Sequence, residues 1–263
     1  MGLIQHKREA YWFYRFLSLG YDRWVNPLFW TPEMRAQALA AARLDDADLT
    51  VVDVGAGTGF TTEGIVARVD PRNVTMLDQS PHQLARSRAK PELNDCARVL
   101  GDAERLPFAA DSFDRYVSAG SIEYWPDPQR GVAEAYRVTK PDGTALLIGP
   151  VRPANRLARA LATTWMLFPP AGEYARWFEA AGFEDVRITK LAPGWYRDDH
   201  TPYAIAVSGT KRSSGPSPVK LEARADPPAG RLRFAARFVL GSAAGAAFVP
   251  IAIVLSLRRG RRR

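Results

Sequence analysis

The sequence predicts an α/β fold: a largely parallel sheet of seven strands with helices on both faces, followed by an apolar C-terminal helix. Three observations carry the prediction. Strand-like and helix-like segments alternate between residues 50 and 209, the pattern of crossover units in a parallel sheet. The first strand runs into a glycine turn, "VVDVGAGTGF" at 51–60, which bends a strand sharply into a helix. A run of 20 uncharged residues, Phe238 to Leu257, follows near the C-terminus.

The elements come in order. "TVVDVG" (50–55) is a short apolar strand, and "TTEGIVARV" (61–69) has helical spacing. "NVTMLDQS" (73–80) is the second strand and "PHQLARSRAK" (81–90) its helix. "ARVLGD" (97–102) and "FDRYVSAGS" (113–121) are strands three and four. The helix "PQRGVAEAYRVTK" (128–140), a turn at "PDG" (141–143) and the strand "TALLIGP" (144–150) follow. After the helical "AGEYARWFEAAGF" (171–183), strands six, "EDVRITKL" (184–191), and seven, "YAIAVSGT" (203–210), have no clear helix between them. That predicts an antiparallel pair at the end of the sheet.

This places a catalytic domain at 50–209 behind an aromatic-rich segment, 1–49. Residues 210–230, rich in Pro, Ser, Gly and charge, read as a linker, and 231–263 as a membrane-anchoring tail. The N-terminus has charges at Lys7, Arg8, Glu9 and Arg15 and no uninterrupted apolar stretch, so it is not read as a signal peptide. Position 6 is His6, where myristoylation would want Ser or Thr.

Composition excludes several classes. A single cysteine, Cys96, excludes a disulfide framework and a cysteine zinc cluster. Three histidines argue against a multi-histidine metal site, and no metal is expected. The net charge of +8 invites a nucleic-acid reading. Eight of the 36 basic residues, however, fall in 231–263, where there is no acid, leaving 28 to balance the 28 acidic ones. The body is neutral, and no nucleic-acid partner is expected.

The glycine turn carries the chemistry. Asp53, Gly55, Gly57 and Gly59 alternate, with Ala56 between the first two glycines. An acid so close to the turn would repel a phosphate and suits a ligand with a cationic group. Asp78 and Gln79 end the second strand, where an acid accepts hydrogen bonds from a ribose diol. Asp102 and Ala103 follow the third strand, within reach of an adenine. Ser118, in the fourth strand, joins the set. Ordinary turn and capping roles are the plain alternative for any one of these acids. Their order at successive strand ends argues for a shared ligand crevice.

This pattern resembles the class I S-adenosylmethionine-dependent methyltransferases, with their Rossmann-like seven-stranded domain, over residues 50–209. The resemblance implies S-adenosyl-L-methionine as cofactor, with the glycine loop at its methionine part, Asp78 at the ribose and Asp102–Ala103 at the adenine. A narrower similarity lies in segments 4–35, 77–90, 114–131 and 165–183. These are similar to the 2-methyl-6-prenyl-1,4-benzoquinol methyltransferases of plastoquinone and tocopherol biosynthesis. The chain departs from them in lacking a long plastid transit sequence and in its C-terminal arginine cluster. The resemblance implies a prenyl-benzoquinol substrate. Another prenyl-quinol or lipid methyltransferase, and a non-catalytic cofactor-binding assembly factor, are the alternatives.

Methylating a ring carbon calls for an aligned substrate, exclusion of water and a base to remove a phenolic proton. Glu123, just past the fourth strand, and His6, in the N-terminal segment, are the candidate bases, with Asp22, His82 and His200 behind them. Glu123 reads equally as a loop carboxylate and His6 as a surface histidine. Tyr11, Tyr14, Tyr124, Trp125 and Trp165 are the candidate substrate contacts, with packing within the domain as the alternative. The density of aromatics in the first 30 residues suggests a lid over a quinol ring or a membrane contact.

Twenty residues of helix span ~30 Å, enough for a bilayer core, so membrane lipid is an expected partner of 238–257. A simple crossing would carry the terminal arginines away from the cofactor's compartment, against the positive-inside tendency; a surface-lying or re-entrant helix avoids this. Gly241 and Gly245 form a G-x-x-x-G that would admit a homodimer, or are small residues tolerated in lipid. The expected location is the cytosolic or stromal face of a membrane, in a photosynthetic eukaryote the plastid inner envelope or thylakoid.

Overall fold

The computed structural model describes residues 30–194, 196, 202–221 and 230–260. Seven strands form one sheet: β1 (Val51–Val54), β2 (Val74–Asp78), β3 (Ala97–Leu100), β4 (Phe113–Ala119), β5 (Thr139–Pro150), β6 (Glu184–Leu191) and β7 (Ala204–Thr210). Their spatial order is β3-β2-β1-β4-β5-β7-β6. β1 to β5 pair in parallel, while β7 runs antiparallel between β5 and β6. The sequence-predicted sheet and its reversed last strand are both present. The order reverses on either side of β1, so the carboxyl ends of β1, β2 and β4 open a crevice.

Helices cover both faces. α1 (Pro32–Leu39), α2 (Phe60–Val66) and α3 (Pro81–Ser87) bury Met34, Leu39, Ile65 and Leu84 against Val51, Val74 and Val117. α4 (Pro128–Val138) and α6 (Ala171–Ala181) cover the opposite face, where Val132, Tyr136, Tyr174 and Phe178 pack on Val52, Val54, Leu147 and Val207. Local chemistry sets their starts. Ser80 and Asp127 cap α3 and α4 by accepting the N–H of Gln83 and Arg130, and Pro81 and Pro128 occupy the first turns.

Three features differ from the sequence reading. The expected turn at 141–143 is absorbed into β5, with Asp142 in the left-handed region at φ 61°. An additional helix, α5 (Arg156–Trp165), lies between β5 and α6, its buried residues Ala158, Ala162 and Trp165 falling on one face. The first half of the expected linker is docked: Ser217 Oγ donates to the Ala181 carbonyl, and Lys211 is fully buried.

The C-terminal helix, α7 (Arg231–Gly260), is formed. The expected membrane-crossing helix is not borne out, because no helix among the described residues is long and apolar enough to cross a membrane. Part of α7 packs on the domain instead. Ala244 is buried with Tyr124, Ala162, Trp165, Met166 and Phe168, and Phe238 packs against that group.

Candidate functional site

The site is built where β1 ends. Asp53 lies within that strand and is 1% exposed. Its Oδ2 accepts a hydrogen bond from Thr62 Oγ1 at 2.7 Å, while its Oδ1 has no partner. Burial pushes its pKa up to about 7, against the Thr62 bond, with a smaller contribution from the nearby Asp78 charge. A buried carboxylate with one idle oxygen at a strand end is an acceptor awaiting a donor.

The loop after β1 is tied to β2. The N–H groups of Gly55 and Ala56 both donate to the Leu77 carbonyl, at 2.8 and 3.0 Å. Asp78 accepts from Gly57 N at 2.9 Å through one carboxylate oxygen and from Ser80 N at 2.8 Å through the other. Burial raises its pKa to about 6, opposed by those two N–H groups. Gly55 has φ +75°, and a Cβ there would collide with the Ser121 side chain, so only glycine lets the loop approach β4's end. A Cβ on Gly57 would meet nothing closer than the Gly55 carbonyl at 4.0 Å. The loop is therefore an open backbone cradle, with carboxylates at Asp53 and Asp78 on either side.

The remaining cofactor candidates are placed as follows. Gly59 caps α2 at φ 89°. Ala56 is buried, Gln79 is exposed, and Ser118 is fully buried near the end of β4. Asp102 Oδ1 accepts from Glu104 N at 3.0 Å, and Ala103 packs against the core. Asp53, Asp78 and Asp102 thus sit at the ends of, or just past, three adjacent strands.

On the far side of the loop, the turn after β4 carries Glu123. It is 7% exposed, its Oε2 has no partner, and burial pushes its pKa up to about 7. Only Ile122 separates it in sequence from Ser121, the neighbour of Gly55, and its Oε1 lies 3.8 Å from where a Cβ on Gly120 would stand. The Tyr174 hydroxyl, fully buried, donates to the Pro150 carbonyl at 2.9 Å and feels the Glu123 charge. Tyr124 and Trp165 come together in one apolar cluster below α5 and α7. Trp125 does not join them: it belongs to the main core, its Nε1 donating to Ser121 Oγ at 2.8 Å. His82 is exposed on α3. His6, Tyr11 and Tyr14 lie outside the described residues, as do Asp22 and His200.

Ser121, Thr62 and Tyr174 belong to the site's surroundings and were not legible as such. Thr62 had a weak signal, standing on α2 nine residues after Asp53. Tyr174 had none, since its approach to Pro150 and Glu123 is set by tertiary packing alone.

A family described as "Methyltransferase domain" matches residues 52–147. The chain is 53% identical to the chloroplastic 2-methyl-6-phytyl-1,4-hydroquinone methyltransferase 1 of Oryza sativa subsp. japonica, over 97% of this chain and 79% of that protein. Identity to the Arabidopsis thaliana protein of that type is also 53%, over 97% of this chain and 78% of the other. A demethylmenaquinone methyltransferase of Mycobacterium is 31% identical over 68% of this chain and 82% of its own length. Among solved structures, a Haloferax volcanii methyltransferase complex superposes with a TM-score of 0.61 at 23% identity, covering 74% of this chain and 94% of that one. The Streptomyces coelicolor geranyl diphosphate C-methyltransferase does so with 0.56 at 14%, covering 68% and 77%. These structural likenesses bear on the fold alone.

Proposed function

The chain belongs to the 2-methyl-6-phytyl-1,4-hydroquinone methyltransferase family, and on that premise we propose how its site works and where. It is an S-adenosylmethionine-dependent methyltransferase that methylates a prenyl-benzoquinol in plastoquinone and tocopherol synthesis. Bound at the cradle, the cofactor supplies an electrophilic methyl group. The residues present fit it: the unpartnered Asp53 Oδ1 suits a cationic amino group, and the open space beside Gly57 leaves room for the ligand. Asp78 would hold the ribose hydroxyls, and Asp102 with Ala103 would flank the adenine.

Glu123 is the proposed general base. A carboxyl with a pKa of about 7 takes a phenolic proton at neutral pH far better than one at 4. Losing that proton enriches the ring carbon ortho to the oxygen, which receives the methyl; that carbon then gives up its own hydrogen as a proton, the phenolic oxygen takes one back, and the net reaction releases one proton. Tyr124 and Trp165 offer an apolar wall beside it for the ring or prenyl chain. His6, Tyr11 and Tyr14 remain proposed parts of an N-terminal lid. The single observation that carries this reading is the buried Glu123 carboxyl, its Oε2 unpartnered, in the turn whose Ser121 meets Gly55.

The substrate's prenyl chain places the reaction at a membrane surface, with residues 231–263 as the attachment. The likeness to proteins named chloroplastic supports a plastid location. Incubation with labelled cofactor and detergent-dispersed 2-methyl-6-phytyl-1,4-hydroquinone, followed by lipid mass analysis, tests the activity. One added ring methyl is expected. Turnover only with a demethylmenaquinol, the substrate class of the 31% identical relative, would overturn the substrate. Cofactor binding without any methylated quinol would favour an assembly factor.

A further inference from the structure

We propose that α7 does not cross the bilayer but lies in its surface, held from below by α5, with its outer face in anionic lipid. This rests on the membrane reading above and fixes its geometry. The seam between the two helices is made of small residues. Ala158 and Ala162 of α5 are buried, as are Gly241 and Ala244 of α7, which lets the helices approach closely. Trp165 and Tyr124 close the cluster beneath them.

That seam uses the residues a crossing would need. The uncharged run begins at Phe238, and Phe238, Gly241 and Ala244 lie against the domain. Beyond Ala244 only 13 residues of the run are left, to Leu257. As helix they reach ~20 Å, well short of the ~30 Å of a hydrocarbon core. A full crossing would strip Phe238 and Ala244 from Ala162 and Trp165 and uncover the wall beside Glu123.

The opposite face of α7 is also apolar, and it is bare. Between 235 and 250, every residue described as exposed is apolar: Ala235, Ala236, Val239, Leu240, Ala243, Ala246, Ala247 and Pro250. Val239 and Leu240 are 63% and 60% exposed, and Leu157 on α5 is 62% exposed. A helix apolar on both faces has a second apolar neighbour.

Charge identifies that neighbour. The two longest acid-free stretches of the chain are 143–172 and 227–263, and these contain the two helices that pack together. Between them they hold eleven arginines, more than the chain's whole net charge of +8. Arg152, Arg156 and Arg159 are exposed on and before α5. An apolar face within acid-free, arginine-rich stretches fits an anionic bilayer surface. With α7 in the plane, the terminal arginines stay on the catalytic side. The conflict with the positive-inside tendency disappears, and the Tyr124–Trp165 wall sits directly under the lipid that carries the quinol.

The full chain is tested in sealed inside-out membrane vesicles, with Cys96→Ser to remove the native thiol. Arg263→Cys reports the tail end, and Glu92→Cys reports the catalytic side. A membrane-impermeant maleimide should label both equally without detergent. Labelling of the tail cysteine only after detergent would mean a crossing and overturn the proposal. In a second arm, Leu157→Glu combined with Val239→Glu should lower recovery on phosphatidylglycerol-containing vesicles at least tenfold. Unchanged recovery would overturn it, as would a solution dimer that Val239→Glu alone dissociates, since a second copy would then be the occupant. Methylation of detergent-dispersed quinol, assayed on the same preparations, separates a failure of this geometry from a failure of the activity.

Discussion

The backbone N–H of Gly57 donates to Asp78 Oδ2 at 2.9 Å, tying the cradle to the carboxylate at the end of the next strand. The other Asp78 oxygen is held by Ser80 N at 2.8 Å. The acid proposed to bind the ribose therefore also shapes the loop. Asp78→Ala should weaken S-adenosylmethionine binding by more than tenfold in calorimetry, about 1.4 kcal/mol or more, and should speed amide exchange at Gly57. Unchanged affinity would sink the assignment.

Gly55 faces Ser121 with no space between them for a side chain. Gly55→Ala adds a left-handed alanine, costing roughly 1–2 kcal/mol, and a collision. Cofactor binding should be lost while the far-ultraviolet dichroism stays native. Ser121→Gly in the same chain removes the collision but not the strain, so it should restore binding only in part. Full restoration would show that strain at Gly55 is unimportant.

Asp53 makes the site's stability depend on pH. Its folded pKa of about 7 lies above the ~3.9 of an unfolded aspartate, so between those values the folded state holds the extra proton. Stability contributed by the neutral, buried form is complete below pH ~4 and is lost as pH rises through about 7. The cofactor-free protein should therefore melt at a lower temperature at pH 8 than at pH 5. Asp53→Asn should flatten that slope while weakening cofactor binding. A wild-type Tm that climbs from pH 5 to pH 8 would contradict the burial argument.

Lys211 follows β7 at the end of the sheet where the parallel strands begin, opposite the end that carries the site. It is fully buried, and its Nζ donates to Asp111 Oδ1, the Gly215 carbonyl and the Arg137 carbonyl. Its charge also lies 4.7 Å from the Tyr136 ring centroid. Lys211→Met strands these acceptors, and about 2–4 kcal/mol of stability should be lost. Denaturant midpoints measure this, and kcat at a temperature below the transition should not change.

The cradle was legible because its spacing is local: Asp53, Gly55, Gly57 and Gly59 lie within seven residues, and Asp78 ends the next strand. Short apolar runs spaced by helical segments and turn residues made the seven strands equally plain. α5 escaped notice because "RLARALATTW" is short, half exposed and acquires its partner only when α7 arrives from more than 70 residues away. Trp125, a candidate substrate contact with core packing as its alternative, takes the packing position for a related reason. Its side chain turns into the core against Gly131, a direction that neighbours in sequence do not encode.

Glu123 supplies the sharpest test of the chemistry. Its carboxyl is buried with an unpartnered oxygen and a pKa of about 7, so in the free enzyme it is protonated below neutrality and ionised above. A base works only when ionised, so kcat/KM for the quinol should rise tenfold per pH unit below about 7 and level off above it. Glu123→Gln keeps the shape and removes the ionisation. Activity should fall about 10²–10⁴-fold, the pH dependence should vanish, and cofactor affinity should stay as it is. Because the variant no longer buries a charge, its Tm at pH 8 should match or exceed that of the wild type, which separates a chemical role from a structural one. A Glu123→Gln enzyme that retains the rising limb would move the base elsewhere, with His6 the next residue to substitute.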